Sequence, residues 1–336
     1  MKILLSRMMG LGDVACVGVP AARLLKRRHP EAELSYLAFR AGPEIAALAP
    51  EIDKIVAVRN EEWPDDLFAA AAAFTQLGDR IVHEGYDLFY NLDTWFMPCF
   101  LARLLKDAGA RVRGNYLSRP ALEVLHQAAA DPESVAHYAE YPGRFLASSF
   151  PNMSDWCAGP WWRTRDVSYP EFYLKHCCGF EGELNMRLEV EPDAALLAEA
   201  AGRKIVAIAA SARTANRQYP HAPELRRGLE AANCLVWGGF DGSIPMRRTL
   251  GKLKVTDLLI CVSSAPQWLA RAVGCPSLMI PGPVPPQTLQ AELNAPRQTD
   301  CQYCMADHCL KNLDYACVKV PPQTLLSQAM DYLARR

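Results

Sequence analysis

The chain has 336 residues, half of them apolar and 22% charged, the balance of a soluble globular protein with room for two domains. Lys plus Arg (36) against Asp plus Glu (37) leave a net charge of -1, which argues against a general nucleic-acid binder and its basic excess. No run approaches the roughly 18–20 apolar residues of a membrane span, so any membrane contact is expected to be peripheral. The opening Met-Lys-Ile-Leu-Leu-Ser-Arg is too short in apolar residues for a signal peptide, and twelve cysteines without an export signal point to the cytoplasm.

Short β-type runs alternate with helical spacing from the first residue. Lys2 to Leu5 predicts a buried strand, and Gly10-Leu11-Gly12-Asp13 a glycine-rich turn. Val17, Ala21, Leu24 and Leu25 recur at helical spacing between Val14 and Arg28, and Pro30 ends that helix. Strands are predicted at Glu33–Leu37, Lys54–Val58, Leu88–Leu92 and Val112–Asn115, with helices at Pro43–Leu48, Leu67–Val82 and Met97–Lys106. Such alternation means a parallel sheet covered on both faces. From Asn152 to Gly182 the character changes. Trp156, Trp161, Trp162, Phe172 and Tyr173 stand among prolines and glycines, predicting an irregular linker whose rings either stack on sugars or pin the connection.

A second alternating series begins at Lys204. Ile205–Ala209 predicts a strand leading into the polar loop Ser211-Ala212-Arg213-Thr214-Ala215-Asn216-Arg217. A helix at Pro223–Ala232 follows, then a strand at Cys234–Trp237 ending in Gly238-Gly239. Leu258–Val262 and Ser277–Ile280 are further strands, with a helix between them that begins at Ser263-Ser264-Ala265-Pro266. Ser caps a helix and Pro suits its first turn, and such a strand-to-helix step binds anions through its free N–H groups and dipole. The pattern predicts a two-domain α/β protein with a phosphate-bearing ligand.

The residues also resemble glycosyltransferase family 9, the ADP-heptose:lipopolysaccharide heptosyltransferases. Lys2-Ile3-Leu4-Leu5 through Arg7 to Leu11-Gly12-Asp13-Val14 is similar to the family's first strand and catalytic turn. Tyr86-Asp87-Leu88, Asn91-Leu92-Asp93 and Leu101-Ala102-Arg103-Leu104-Leu105 resemble the strand and helix before the acceptor face. Gln218-Tyr219-Pro220 resembles the step that ends the first donor-domain loop, and Pro266, Leu269, Ala270, Gly274, Pro276 and Gly282-Pro283 the pattern that carries the donor-phosphate helix.

The resemblance implies an α/β chain of GT-B fold, two Rossmann-like doubly wound domains facing each other across a cleft. Residues 1–180 would form the acceptor-binding domain with its aromatic linker, and 200–320 the nucleotide-sugar domain. Residues 322–336 would be a helix packing back across the junction. Asp13 falls where the family has its general base, which takes the acceptor hydroxyl proton during inversion at the anomeric carbon. A carboxylate at a helix start is equally suited to capping. Gly10, Gly12 and Asp93 would lie on the acceptor side. Ser211, Arg213, Thr214, Arg217, Gly238, Gly239, Ser263, Ser264, Ala265 and Trp268 would meet the donor. Arg217 stands where the family has a Lys on the diphosphate, offering a planar fork instead of a point charge.

The sequence departs from the family at several points, and Gly10 stands where the family has a Ser before the catalytic turn. Asp-Ser-Gly-Pro-Met-His reads here Ser263-Ser264-Ala265-Pro266-Gln267-Trp268, which removes a carboxylate and adds a bulky ring. The stretch between Gly239 and Leu258 is also too short for the family's additional strand and helix.

Cys301-x2-Cys304-x4-Cys309-x7-Cys317 has the spacing of a tetrahedral zinc or iron site on a loop, with His308 as a substitute ligand. A family branch that modifies autotransporter proteins is similar in holding iron on a cysteine finger. The metal would be structural, and four reduced thiols are the alternative. No catalytic cofactor is expected. The sequence therefore predicts an inverting transferase moving a sugar, most simply heptose from ADP-heptose, to a glycan or protein hydroxyl, with homo-oligomerisation open. Its rivals are a transferase with another donor and a non-catalytic binding or assembly protein of the same fold.

Overall fold

The computed structural model describes residues 1–336, which divide into two compact units. The first takes Met1–Thr164 and Pro170–Asn185, the second Arg165–Tyr169 and Met186–Arg336. No helix is long and apolar enough to cross a membrane.

The first unit is built on a six-stranded sheet: β1 (Lys2–Ser6), β2 (Glu33–Phe39), β3 (Lys54–Val58), β4 (Leu88–Asn91), β5 (Val112–Leu117) and β6 (Leu146–Ser148), in the order β3-β2-β1-β4-β5-β6. All pairs are parallel except β5 with β6. Ile3, Leu4 and Leu5, and Leu34, Tyr36 and Leu37 beside them, are buried without alternation, as a sheet covered on both faces requires. The helix Leu67–His83 starts where Asp66 accepts from Ala69 N at 2.8 Å. It buries Ala70, Phe74, Leu77 and Ile81 at helical spacing. Phe74 meets Trp63 at 4.6 Å and Phe100 of helix Phe96–Asp107 at 6.1 Å between ring centroids. Burying each such ring contributes about 1.5–3 kcal/mol.

The long helical segment after β1 is one path in three windings: Leu11–Asp13, a π-helical stretch Val14–Gly18, and the α-helix Val19–Arg28. Pro20 has no N–H for the carbonyl four residues back, so the wider turn sits just ahead of it. Gly18 has a separate cause, because a Cβ there would stand 1.9 Å from Tyr36 Oη. A second π-helical stretch, Glu171–Cys177, follows Pro170.

The segment expected as an irregular linker carries short helices at Met153–Cys157 and Trp161–Thr164 besides that π-helix. Its rings are spent on one another. Trp161 stacks on Phe172 at 4.2 Å, Phe172 on His176 at 5.2 Å, and Trp156 meets Tyr173 edge-on at 5.0 Å. The pinning alternative accounts for them. The helices Ala121–Ala130 and Pro132–Ala139 carry His126 and His137.

The second unit holds β7 (Ile205–Ala209), β8 (Leu235–Trp237), β9 (Leu258–Val262), β10 (Ser277–Ile280) and β11 (Leu293–Asn294) in the order β11-β10-β9-β7-β8, all parallel. Between Gly239 and β9 there is a helix, Met246–Lys254, and no strand. The closing helix Pro322–Leu333, expected across the junction, puts Leu325, Ala329 and Leu333 into the core of the second unit. It lies beside helix Ala222–Ala231, where Gly228 leaves room for Leu326.

Candidate functional site

In both sheets the strand order reverses once, between β1 and β4 in the first and between β7 and β9 in the second. Loops leaving the C-terminal ends of such strand pairs diverge and leave a crevice, where ligands of doubly wound sheets bind. The candidate residues cluster at these two edges.

At the first edge Arg7 follows β1, and Leu92 and Asp93 follow β4. The Arg7 side chain is only 3% exposed. It donates from Nη2 to Asp13 Oδ2 at 3.0 Å and from Nη1 to the Leu92 carbonyl at 2.8 Å. Nη1 also stands 3.7 Å from Asp93 Oδ1. The ring of Tyr173 lies 5.3 Å from the guanidinium carbon. Tyr173 Oη donates to the Leu92 carbonyl at 2.6 Å and accepts from Asn115 Nδ2 at 3.0 Å. Tyr36 Oη donates to the Arg7 carbonyl at 2.9 Å, and burial, then the Asp93 charge, pushes its phenol up.

Asp13 is the partly open member, its side chain 25% exposed. Its carboxylate makes no cap hydrogen bond with the helix it opens and turns back to Arg7 instead. The turn allows this because Gly10 has φ +96°, and a Cβ there would lie 2.9 Å from Asp13 Oδ2. Gly12 is buried within the turn. Asp93 lies deeper still. It is fully buried, and its oxygens accept from Met8 N (2.8 Å), Met9 N (3.0 Å) and Ser6 Oγ (3.2 Å). It holds the turn after β1 and offers nothing to an acceptor. Arg7 and Tyr173 are the residues that sequence reasoning missed; only the position of Arg7 between the first strand and the turn hinted at a role. A recess of about 510 Å³ elsewhere in this unit, lined by Phe150, Met153 and Cys157 among others, includes none of the predicted residues.

At the second edge the loop after β7 is closed by Tyr219 N donating to the Ala210 carbonyl at 2.8 Å. Ser211 and Arg213 are exposed in it, and Thr214 O accepts from Arg217 N at 3.1 Å. Arg217 is half-buried. Burial lowers its pKa first, opposed by the charge of Asp307 and reinforced by that of Arg213. Its Nε is buried without a hydrogen-bond partner, as is Asn216 Oδ1. After β9, Ser264 Oγ donates to the Val262 carbonyl at 3.3 Å and so does not cap helix Ala265–Val273. Ser263 Oγ, in a residue 5% exposed, and Gln267 Oε1 have no partner either.

Buried polar atoms are nearly always paired, so this concentration beside a helix N-terminus suits a ligand that brings its own hydrogen-bonding groups. Gly239 follows β8 with φ +96°, while Gly238 would bring a Cβ only to 3.4 Å from the Ile208 carbonyl. Ala265 opens the helix. Trp268, expected to meet the donor, is buried with its ring 6.3 Å from Tyr169.

The four clustered cysteines share one loop of largely irregular backbone, with positive φ at Tyr303, Met305, Asn312, Asp314 and Tyr315. Cys309 Sγ accepts from Leu313 N at 3.2 Å. Backbone donors, that of Tyr315 foremost, hold the thiol below its ordinary value. Cys317 is pushed up to about 11 by burial and then by Cys304, Cys301 and Cys309. No three Cys, His, Asp or Glu side chains are grouped as they would be around a metal ion, so the expected four-ligand cluster is a set of neighbouring free thiols in this structure.

Scanned against protein-family models the chain matches none, and a search of curated proteins finds no match. Solved structures do match. The chain is similar to a glycosyl transferase family 9 structure from Veillonella parvula at 13% identity, over 100% of this chain and 98% of that one, with a TM-score of 0.69. It is similar to the ADP-heptose LPS heptosyltransferase II of E. coli at 14% identity, over 100% and 99% of the two chains, with a TM-score of 0.58. TibC, an iron-containing dodecameric glycosyltransferase of enterotoxigenic E. coli, matches at 12% identity over 99% and 76%, with a TM-score of 0.58. At such identities the likeness speaks to architecture. The chain has the α/β GT-B fold of these heptosyltransferase and family 9 structures.

Proposed function

We propose that the chain is an inverting glycosyltransferase that moves a sugar from a nucleotide diphosphate donor to an acceptor hydroxyl. The observation that carries this reading is Asp13, a partly open carboxylate at the edge of the first sheet, fixed by a buried guanidinium instead of capping its helix. Asp13 takes the hydroxyl proton as the acceptor oxygen bonds to the anomeric carbon. The bond from that carbon to the diphosphate breaks, and the nucleoside diphosphate leaves with the electron pair. Arg217 and the uncapped N-terminus of helix Ala265–Val273 receive the charge it carries. Ser211, Arg213, Thr214, Ser263 and Gly239 complete the donor surface in this reading.

ADP-heptose is the simplest donor, supported by the sequence resemblance and by the donor that the E. coli neighbour's name carries. Ser263 in place of a carboxylate favours testing other sugars beside it. The acceptor is a glycan or a protein hydroxyl. A thermal-shift and calorimetric screen of nucleotide diphosphates and their sugars, ADP and ADP-heptose first, tests the reading. Asp13→Asn should cut transfer by about 10²–10⁴-fold while leaving the ADP affinity unchanged. A protein that binds no nucleotide, or an Asp13→Asn variant of full activity, would refute it.

The thiols Cys301, Cys304, Cys309 and Cys317 fit a structural zinc or iron by donor type, and the N–H groups around Cys309 suit a metal thiolate. No step of transfer runs through such a metal. Elemental analysis and thiol titration of the purified protein separate the two readings: about one equivalent of zinc or iron per chain would mean that the finger closes around it, and none with all four thiols titrating that they stay the free cysteines of this structure.

A further inference from the structure

The loop that carries Arg217 and the cysteine finger are tied together in several places. Asn216, 2% exposed, donates from Nδ2 to the carbonyl of Ala306, within the finger. Tyr219, which closes the loop, donates from Oη to the Val320 carbonyl at 2.9 Å, just past the finger's end. Between these points Gly282 brings backbone so close that a Cβ would stand 2.7 Å from Val318 Cγ1 and 3.2 Å from the Asn216 carbonyl oxygen. The finger is held in turn by Met305 N donating to the Pro283 carbonyl at 2.9 Å. The short turns Ala215–Arg217 and Ala316–Val318 pack on each other as a result. The finger has little regular structure of its own, and Leu310 and Leu313 within it are exposed. A segment with so few internal supports keeps its shape through its ties.

We propose that the cysteine finger is a wall of the donor site and that Asn216 is its positioning residue. Through the Asn216–Ala306 hydrogen bond the finger sets where Arg217 stands. Chemical change at the finger thiols therefore weakens the hold on a nucleoside diphosphate, and a bound diphosphate shields those thiols in return. The proposal rests on the reading of this loop as the diphosphate site. A diphosphate that holds the loop in place lowers the population of open finger conformations, in which the thiols react.

The cysteine inventory makes the test clean. Outside the finger every thiol is buried except the half-buried Cys157, so a Cys157→Ser background directs alkylation to the finger. In that full-length protein, reduced and treated with iodoacetamide, saturating ADP should slow alkylation of the finger peptides as read by mass spectrometry. The alkylated protein should bind ADP about tenfold more weakly, the equivalent of one hydrogen bond's worth of positioning. Asn216→Asp keeps the side-chain shape but turns a lone pair toward the Ala306 carbonyl. It should weaken ADP to the same extent and leave adenosine affinity unmoved, a split that general loosening of the fold would not produce. If Asn216→Asp does not fold, the alkylation experiment decides alone. ADP binding that ignores alkylation, with alkylation rates that ignore ADP, overturns the proposal and leaves the transferase reading intact. Failure of the unmodified protein to bind any nucleotide removes that reading, and this inference with it.

Discussion

The two sheet edges handle charge in opposite ways. At the first, the carboxylates have their partners within the unit, although Asn115 Oδ1 is buried there without a hydrogen-bond partner: Arg7 stands between Asp13 and Asp93, and Asp93 is held by three further donors. At the second, polar atoms are buried and left open: Ser263 Oγ, Gln267 Oε1, Asn216 Oδ1 and Arg217 Nε. A proton acceptor must be in place before its substrate arrives, and self-contained pairing achieves that. Ser263 Oγ and Arg217 Nε are donors that the oxygens of a diphosphate can take, while the amide oxygens Gln267 Oε1 and Asn216 Oδ1 suit donor groups elsewhere on a ligand. The contrast suits a fixed reagent in one unit and a replaceable ligand in the other.

Substitutions at each edge should separate these two designs. Arg7→Met leaves one buried and one partly buried carboxylate without their cation and should cost about 3–5 kcal/mol of stability. Urea denaturation reads it, and a midpoint shift worth less than about 1 kcal/mol would mean the pairing does not hold the turn. Arg217→Gln should cost about 1.5–3 kcal/mol of ADP binding, roughly 10–100-fold in Kd by calorimetry. Its melting temperature should hold or rise, because a buried cation has been removed; a marked fall would show that Arg217 is structural. The smallest effect is expected of Gly10→Ala, about 1–2 kcal/mol of strain from φ +96° and the crowded Asp13 Oδ2. Transfer activity should fall by more than the stability loss explains, and parallel losses would separate the turn from the chemistry.

Strands were the most legible part of the fold. Lys54–Val58, Ile205–Ala209, Leu258–Val262 and Ser277–Ile280 have the bounds expected of short apolar runs between turn residues. Helix Met246–Lys254 buries Met246, Leu250 and Leu253 at helical spacing, but Arg247, Arg248, Lys252 and Lys254 between them hide that apolar stripe in the sequence. At the site, Asp13 stands out through the family resemblance, since its turn alone suits a helix cap equally well. The role of Asp93 does not stand out, because burial and hydrogen bonds to backbone N–H groups from another strand's loop leave no local trace. Arg7 pairs across a turn, and Tyr173 reaches it from far along the chain; both depend on the path of the backbone. Trp268 shows the converse, a conspicuous residue type whose environment makes it ordinary core.

The π-helical windings around Asp13 and Tyr173 carry a consequence for how this chain tolerates change in length. A π turn is an α turn with one residue added, and each α-helical residue advances the helix by about 100°. Val14–Gly18 lies between Asp13 and the buried face of Val19–Arg28, so that one residue fixes the azimuth at which the carboxylate leaves the sheet. Removing it would leave a regular helix with its core face intact, yet would swing Asp13 about a quarter of a turn away from Arg7. Among changes that preserve the fold, a single deletion there would be more damaging to the site than most substitutions within it.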